Sequence, residues 1–178
     1  NTKNVYSKGM FENVCLAIKV ALDLKIDKKT IQKTLPLLSF EGRFQYLNKG
    51  KIKNSLHKNE VIMIDGAHAT ADAQNLATYL KNIKIPKYGI WAMTKNKEPD
   101  LFIKPLKGLF KKIITMPIEN EYNSVSANEL YKIAMKNKFK VEKSDSFNQA
   151  LKKISSKEKK LIVCLGSLYN CGNILNKN

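Results

Sequence analysis

Two apolar runs in this sequence end on side chains that can do chemistry. Val61-Ile62-Met63-Ile64 leads into Asp65-Gly66-Ala67-His68, a carboxylate, a glycine, a small residue and an imidazole. A glycine at that place lets the backbone turn sharply and approach a ligand, while Asp65 and His68 project from the turn into the helix that follows. The start of a helix also favours anions, so a phosphate or carboxylate can sit beside His68. The same spacing is met by a plain junction in which Asp65 caps the helix and His68 is an ordinary loop residue. Leu161-Ile162-Val163-Cys164-Leu165 leads in the same way into Gly166-Ser167-Leu168, where capping alone accounts for the hydroxyl of Ser167. Tyr169 stands where a G-x-S-x-G nucleophile elbow would need its second glycine, so hydrolase chemistry is not supported. His57 lies in a lysine-rich connector and reads as solvated.

Arg43 stands apart by composition. All but one of the 32 basic residues are lysine, a bias shared by the abundant Asn and Ile, and the exception is Arg43. Arginine's planar fork binds phosphate or carboxylate through two parallel hydrogen bonds and stays charged when partly buried, which lysine does poorly. Drift at a single position remains the other reading. Missing motifs narrow the chemistry further. The sequence has no G-x-x-x-x-G-K-[ST], no G-x-G-x-x-G and no histidine pair at metal-ligand spacing, so this chain is not expected to bind and cleave a nucleoside triphosphate unaided. Cys15, Cys164 and Cys171 form no CxxC pair and sit in apolar segments, which argues against a disulfide framework or a zinc site.

The elements that must position these residues alternate along the chain. Phe11 to Leu24 has helical spacing, and a second helix is expected from Lys28 to Leu35, capped by Asp27 and stopped by Pro36. Gly42 to Ile52 reads as an extended stretch that turns. A domain boundary is expected near Ser39. Beyond it, apolar runs at Val61–Ile64, Tyr88–Met93, Ile113–Ile118 and Leu161–Leu165, with a weaker one at Phe139–Val141, alternate with amphipathic segments. Those segments are Ala71–Ile83, Asp100–Leu109, Ala127–Lys136, Ser146–Ile154 and Leu168–Leu175. This pattern predicts an α/β, Rossmann-like fold, a mostly parallel sheet with helices on both faces. Ligands then bind outside the carboxyl ends of the strands, where Asp65–His68, Thr94–Lys97, Glu119–Glu121 and Gly166-Ser167 should converge on one edge.

Composition bounds the setting. The chain has 178 residues, 43% hydrophobic and 26% charged, enough for one compact domain with an appendage. No apolar run approaches the roughly 18 to 20 residues of a membrane span, and the Asn1-Thr2-Lys3-Asn4 start has no signal-peptide core. A reducing cytosol is the expected compartment, and a start without Met suggests a piece of something longer. The formal charge of +17 proposes nucleic acid or an anionic membrane as partner. Yet Val61–Leu80 and Ile113–Tyr131 contain no lysine, and Leu161–Asn176 contains no charged residue. The excess charge therefore falls on helix faces and connectors, away from the strand ends, where it can attract anions only from a distance.

Taken together and in order, Glu41-Gly42-Arg43-Phe44-Gln45, Asp65-Gly66-Ala67-His68 and Gly166-Ser167-Leu168-Tyr169 resemble the carboxyl-terminal part of the folylpolyglutamate synthase and dihydrofolate synthase family. These are Mur-ligase-like, ATP-dependent ligases. Glu12-Asn13 at the first helix, and Trp91-Ala92-Met93-Thr94-Lys95 with Asp100, are similar to further family segments, so the likeness covers nearly the whole chain. The resemblance implies that residues 1–39 are the helical tail of a central ATP-binding domain and 40–178 a glutamate-ligase domain. It implies an ADP-forming ligase in which ATP and Mg2+ activate the carboxylate of dihydropteroate or folate as an acyl phosphate, which the amine of L-glutamate attacks. The P-loop and most metal contacts would precede Asn1, leaving this portion inactive alone, with no metal ligands of its own.

By the same resemblance Asn13 would contact the adenine side of ATP, Arg43 the phosphates, and Asp65 the nucleotide across a domain cleft. His68 and Ser167 would lie near the incoming glutamate. Arg43 and His68 are then the expected catalytic residues, in a cytoplasmic enzyme that is monomeric at full length and binds neither nucleic acid nor membrane. Two positions depart from the family pattern. Ala69-Thr70 replaces the usual Asn-Pro after the histidine, and Gly9-Met10 replaces a His-Gln pair. Mur peptidoglycan amino-acid ligases typically show an aromatic before the Ala-His pair, so Gly66 favours the folate branch. A Mur-type ligase domain, a basic α/β nucleic-acid-binding module and a non-catalytic remnant of the fold are the competing readings.

Overall fold

The computed structural model describes residues 5–178, so the Asn1–Asn4 start lies outside the described residues. The chain divides into two compact units, one ending at Glu41 and one beginning at Gly42. The first holds helix α1 (Lys8–Asp23), helix α2 (Lys28–Thr34) and a 3-10 turn (Leu35–Leu37). Ser7 caps α1 by accepting from the Met10 amide at 3.2 Å, and Asp27 caps α2 by accepting from the Thr30 amide at 2.9 Å. Pro36 cannot continue an α-helix, so the chain tightens there. Between these elements runs an apolar groove of about 270 Å³, with Val14, Ile18, Ile31 and Phe40 among its lining. Phe11, Leu16, Val20 and Leu24 remain exposed.

In the second unit, the described residues form a six-stranded sheet in the order β1-β2-β6-β3-β4-β5. The strands are β1 (Gln45–Tyr46), β2 (Glu60–Asp65), β3 (Lys87–Trp91), β4 (Lys112–Thr115), β5 (Val141–Lys143) and β6 (Lys160–Leu165). Only β1 is antiparallel, paired to β2 with Gln45 opposite Ile64. The helices are α3 (Lys51–Ser55), α4 (Thr70–Lys81), α5 (Pro99–Ile103), α6 (Ala127–Lys136), α7 (Phe147–Ile154) and α8 (Leu168–Lys177).

Strand parity sorts the core into two layers. Ile62, Ile64, Ile90, Ile114, Ile162 and Cys164 join one buried cluster with Phe147, Leu151 and Ile154 of α7 and Cys171 and Ile174 of α8. The alternate residues Met63, Trp91, Val163 and Leu165 are buried too, and Trp91 stacks on Phe102 of α5 with centroids 6.3 Å apart. Burial on both faces is why these strands read as unbroken apolar runs.

The structure moves several sequence-predicted boundaries. The helix expected over Asp100–Leu109 is α5 followed by a 3-10 turn at Lys104–Leu106, because Pro105 has no amide to donate. β4 stops at Thr115, two residues before Pro117. The weak run at Phe139–Val141 is an edge strand starting at Val141, with Glu142 and Lys143 exposed. The lysine-rich connector holds α3, whose first amides are held by Asn178: Lys51 N donates to its carbonyl and Ile52 N to its Oδ1. His57 is exposed.

Candidate functional site

The parallel strands β2, β6, β3, β4 and β5 all point their carboxyl ends to one edge. There β2 is followed by α4 on its way to β3, whereas β6, lying between β2 and β3, is followed by α8, which contacts β2 and β6. Neighbouring strands that send their helices in opposite directions leave a crevice at their ends. Two glycines record how tightly that edge is packed. A Cβ on Gly66 would fall 2.3 Å from Leu168 Cδ2, so its bareness makes room for α8 rather than for a ligand. Gly166 has φ +105°, and a Cβ there would fall 2.4 Å from the Ala92 carbonyl oxygen. The junctions after β2, β3 and β6 are thereby held against one another.

Asp65 ties in the fourth segment. Its Oδ2 accepts from the Phe44 amide at 2.9 Å and its Oδ1 from the Ala67 amide at 2.7 Å. The Gly66 amide donates to the Gly42 carbonyl at 2.6 Å, and the Gly42 amide to Gln45 Oε1 at 2.8 Å. Phe44 takes a left-handed φ of +46°, rare for an aromatic residue, with its ring edge-on to Tyr79 of α4 at 4.9 Å. These contacts fix the Gly42-Arg43-Phe44 turn beside the start of α4. Asp65 itself is only 1% exposed. Burial pushes its carboxyl above the ordinary value, against the Phe44 and Ala67 amides and the Arg43 charge, which pull it down.

Asp72, in the first turn of α4, lies between the Arg43 side chain and the His68 backbone. The Arg43 side chain is 30% exposed, with Nη1 3.8 Å from Asp72 Oδ2. The same Asp72 oxygen faces the His68 amide at 3.3 Å and the Ala69 amide at 3.4 Å. His68 Nδ1 lies 2.8 Å from the Gly66 carbonyl oxygen. A carbonyl only accepts, so Nδ1 carries the proton, and in the neutral ring Nε2 holds the lone pair.

Ser167 is buried and caps α8, its Oγ accepting from the Tyr169 amide at 3.1 Å. Cys171 is also buried at this edge. Burial and the nearby Asp65 push its thiol up to about 12, so it is not a thiolate nucleophile. Two donors, Trp91 Nε1 and Asn170 Nδ2, are buried here without a hydrogen-bond partner.

Of the sequence-predicted residues, Arg43, Asp65, His68 and Ser167 share this strand edge. Asn13 lies exposed on α1, in the other compact unit. Sequence reasoning missed Asp72, which touches both the arginine and the histidine segment. Its only sequence signal is an acidic residue in the first turn of a helix, a common stabilising placement. Among the described residues no group of three or more His, Cys, Asp or Glu is placed to hold a metal ion.

Known proteins agree with this architecture. The fold is similar to folylpolyglutamate synthase from Mycobacterium tuberculosis solved with ADP, with TM-score 0.82, 16% identity, and coverage of 97% of this chain and 40% of that one. It is similar to Thermotoga maritima folylpolyglutamate synthase with TM-score 0.70, 23% identity, and coverage of 95% of this chain and 38% of that one. The bifunctional folylpolyglutamate synthase/dihydrofolate synthase of Yersinia pestis, complexed with AMPPNP and Mn ion, matches with TM-score 0.68 and 16% identity over 84% of this chain and 34% of that one. The chain thus spans about two fifths of the length of the first two solved relatives. No curated protein matches. The model of the dihydrofolate synthetase C-terminal domain matches residues 48–177, well over half of the chain, and on that match the chain belongs to the dihydrofolate synthetase C-terminal domain family.

Proposed function

We propose that residues 40–178 are the amino-acid-receiving domain of an ATP-dependent amide ligase that joins L-glutamate to dihydropteroate or to a folate. The observation that carries this reading is that Asp72, in the first turn of α4, faces both the Arg43 guanidinium and the His68 amide, on the edge where β2 and β6 send their helices apart. Arg43 there can bind the phosphoryl group of an activated carboxylate and stabilise the charge that leaves with it. The glutamate amine attacks the acyl carbon, the C–N bond forms as the C–O bond to phosphate breaks, and the amine proton passes to His68 Nε2. Excluding water from this edge prevents hydrolysis of the acyl phosphate.

Asp65 serves this site through the backbone. With both carboxylate oxygens taken by amides, it supports the Arg43 turn and the His68 junction. The capping hydroxyl of Ser167 sets the start of α8 beside them. Residues 5–39 we read as the tail of a larger ATP-binding domain, to which Asn13 brings an adenine contact. The exposed Phe11, Leu16, Val20 and Leu24 support that reading, because two short helices cannot bury their own apolar faces. Mg2+ would be held mainly by the ATP-binding domain together with the nucleotide phosphates.

The test uses the complete encoded protein. Phosphate release from ATP should require both L-glutamate and dihydropteroate or a folate. If neither substrate stimulates release, the reading fails.

A further inference from the structure

Asp72 occupies the third position of α4, after Ala69, which has no side-chain acceptor to cap the helix. Its carboxylate substitutes for that cap from inside, with one oxygen facing the His68 and Ala69 amides at 3.3 and 3.4 Å. The same oxygen lies 3.8 Å from Arg43 Nη1, and both side chains are about one third exposed, at 30% and 35%. A separation of 3.8 Å is too long for a good hydrogen bond, and a pair so exposed contributes little to stability. Such a contact orients the arginine and costs little to give up.

The rest of the arginine's surroundings makes orientation necessary. Its backbone is pinned by the Phe44 and Gly66 amide bonds and by the Phe44–Tyr79 ring contact, but the side chain is long and rich in rotamers. We propose that Asp72 is a positioning residue, which holds the Arg43 guanidinium over the start of α4 beside His68 and releases it to an incoming phosphoryl oxyanion. The oxyanion then takes the fork that Asp72 holds by one nitrogen. The catalytic half of this inference rests on the ligase reading above.

The Arg43 Nε–Hε cross-peak in a spectrum of the 15N-labelled protein is identified as the one that disappears in Arg43→Lys. Asp72→Asn keeps an oxygen for the His68 and Ala69 amides and removes the charge. In that variant the Arg43 peak should move to the position of a free arginine while the amide peaks of α4 stay in place. In the complete protein kcat should fall roughly tenfold or more with the ATP KM little changed, since misplacement of a group acting at the transition state is felt in kcat. Asp72→Glu should recover both signals, and in an Arg43→Ala background Asp72→Asn should add no further loss. An unmoved Arg43 peak, or a moved peak with unchanged kcat, overturns the inference. Wild-type protein without glutamate-dependent turnover overturns the ligase reading instead, and the spectrum still reports whether the pair exists.

Discussion

Arg43→Lys retains the positive charge at its position and removes the planar fork. Lysine can still pair with Asp72, so stability should change little, as a denaturant titration would show. Turnover should fall about 10- to 100-fold, the worth of one charge-assisted hydrogen bond of roughly 1.5–3 kcal/mol made at the transition state. Wild-type turnover in that variant would mean that the lone arginine carries no task a lysine cannot perform. Asp65 behaves differently, because its carboxylate is consumed by the fold. Asp65→Asn offers one oxygen to two amides and turns an amide group toward the other, so a buried donor is left unpaired. The expected loss is about 1–3 kcal/mol of unfolding free energy. Legibility differs between these residues for a physical reason. Arg43 was visible as the exception in a lysine-rich chain, and Asp65 and His68 as the polar end of an apolar run. Asp72 was not, because its partner lies 29 positions earlier on another segment, and only the folded turn brings them together.

At the scale of elements, β2 and β6 begin with a buried charge pair at the edge opposite the candidate site. Glu60 and Lys160 are 0% and 1% exposed, with Lys160 Nζ 3.6 Å from Glu60 Oε1 and donating to the Ile154 carbonyl at 2.8 Å. Glu60 accepts from the Ser156 amide at 2.8 Å, the His57 amide at 3.0 Å and the Ser155 hydroxyl at 2.9 Å. Burial alone would raise its carboxyl, but these donors and Lys160 outweigh it and hold the group below its ordinary value of 4.5. A lowered carboxyl stabilises the fold above pH 4.5, and that contribution is lost as pH falls through the lower, folded value. Asp65 has the opposite sign: raised above 3.8, it favours the fold most in acid and loses that contribution as pH rises through its folded value. Lys160→Met leaves the Glu60 charge buried and should cost about 3–5 kcal/mol, whereas Glu60→Gln with Lys160→Met should recover much of it. A double-mutant cycle by urea unfolding at pH 7, repeated at pH 4, measures both effects. Additive losses would show that the pair is not coupled.

The same pair marks what local pattern hides about elements. The strands β2, β3, β4 and β6 were legible as apolar runs, but a run says nothing about its neighbours, so the insertion of β6 between β2 and β3 was not. Lys160 sits at the head of such a run and reads as one more solvated lysine, although it is buried. The start of β5 is shifted from the apolar run because this edge strand keeps little apolar signal, two of its three residues, Glu142 and Lys143, being exposed. α3 was missed because five residues rich in lysine and asparagine form no stable helix alone, and its amides depend on Asn178, 127 positions beyond its first residue.

At the scale of the whole molecule, +17 is an unfavourable self-energy as well as an attraction for anions. Several lysines are already neutralised locally, among them Lys111 by Glu158 at 2.7 Å, Lys112 by Glu142 at 2.9 Å and Lys177 by Glu119 at 2.5 Å. Others lie on helices and connectors, Lys111, Lys112, Lys140, Lys153 and Lys160 line one pocket, and the stretches forming the candidate site, Val61–Leu80 and Leu161–Asn176, hold none. Two consequences separate a dispersed charge from a nucleic-acid surface. Screening at about 0.1–0.2 M salt, where the Debye length is about 8–10 Å, should relieve repulsion and raise the Tm relative to low salt. A protein that contacts six to ten phosphates would instead show affinity for DNA falling by about 10³–10⁵ between 50 and 200 mM salt. Thermal melts across that range, beside gel shifts with duplex and single-stranded DNA, distinguish the two. The expected result is a higher Tm with salt and no retained nucleic acid at physiological ionic strength. Tight, steeply salt-dependent retention would make the lysines a binding surface in their own right.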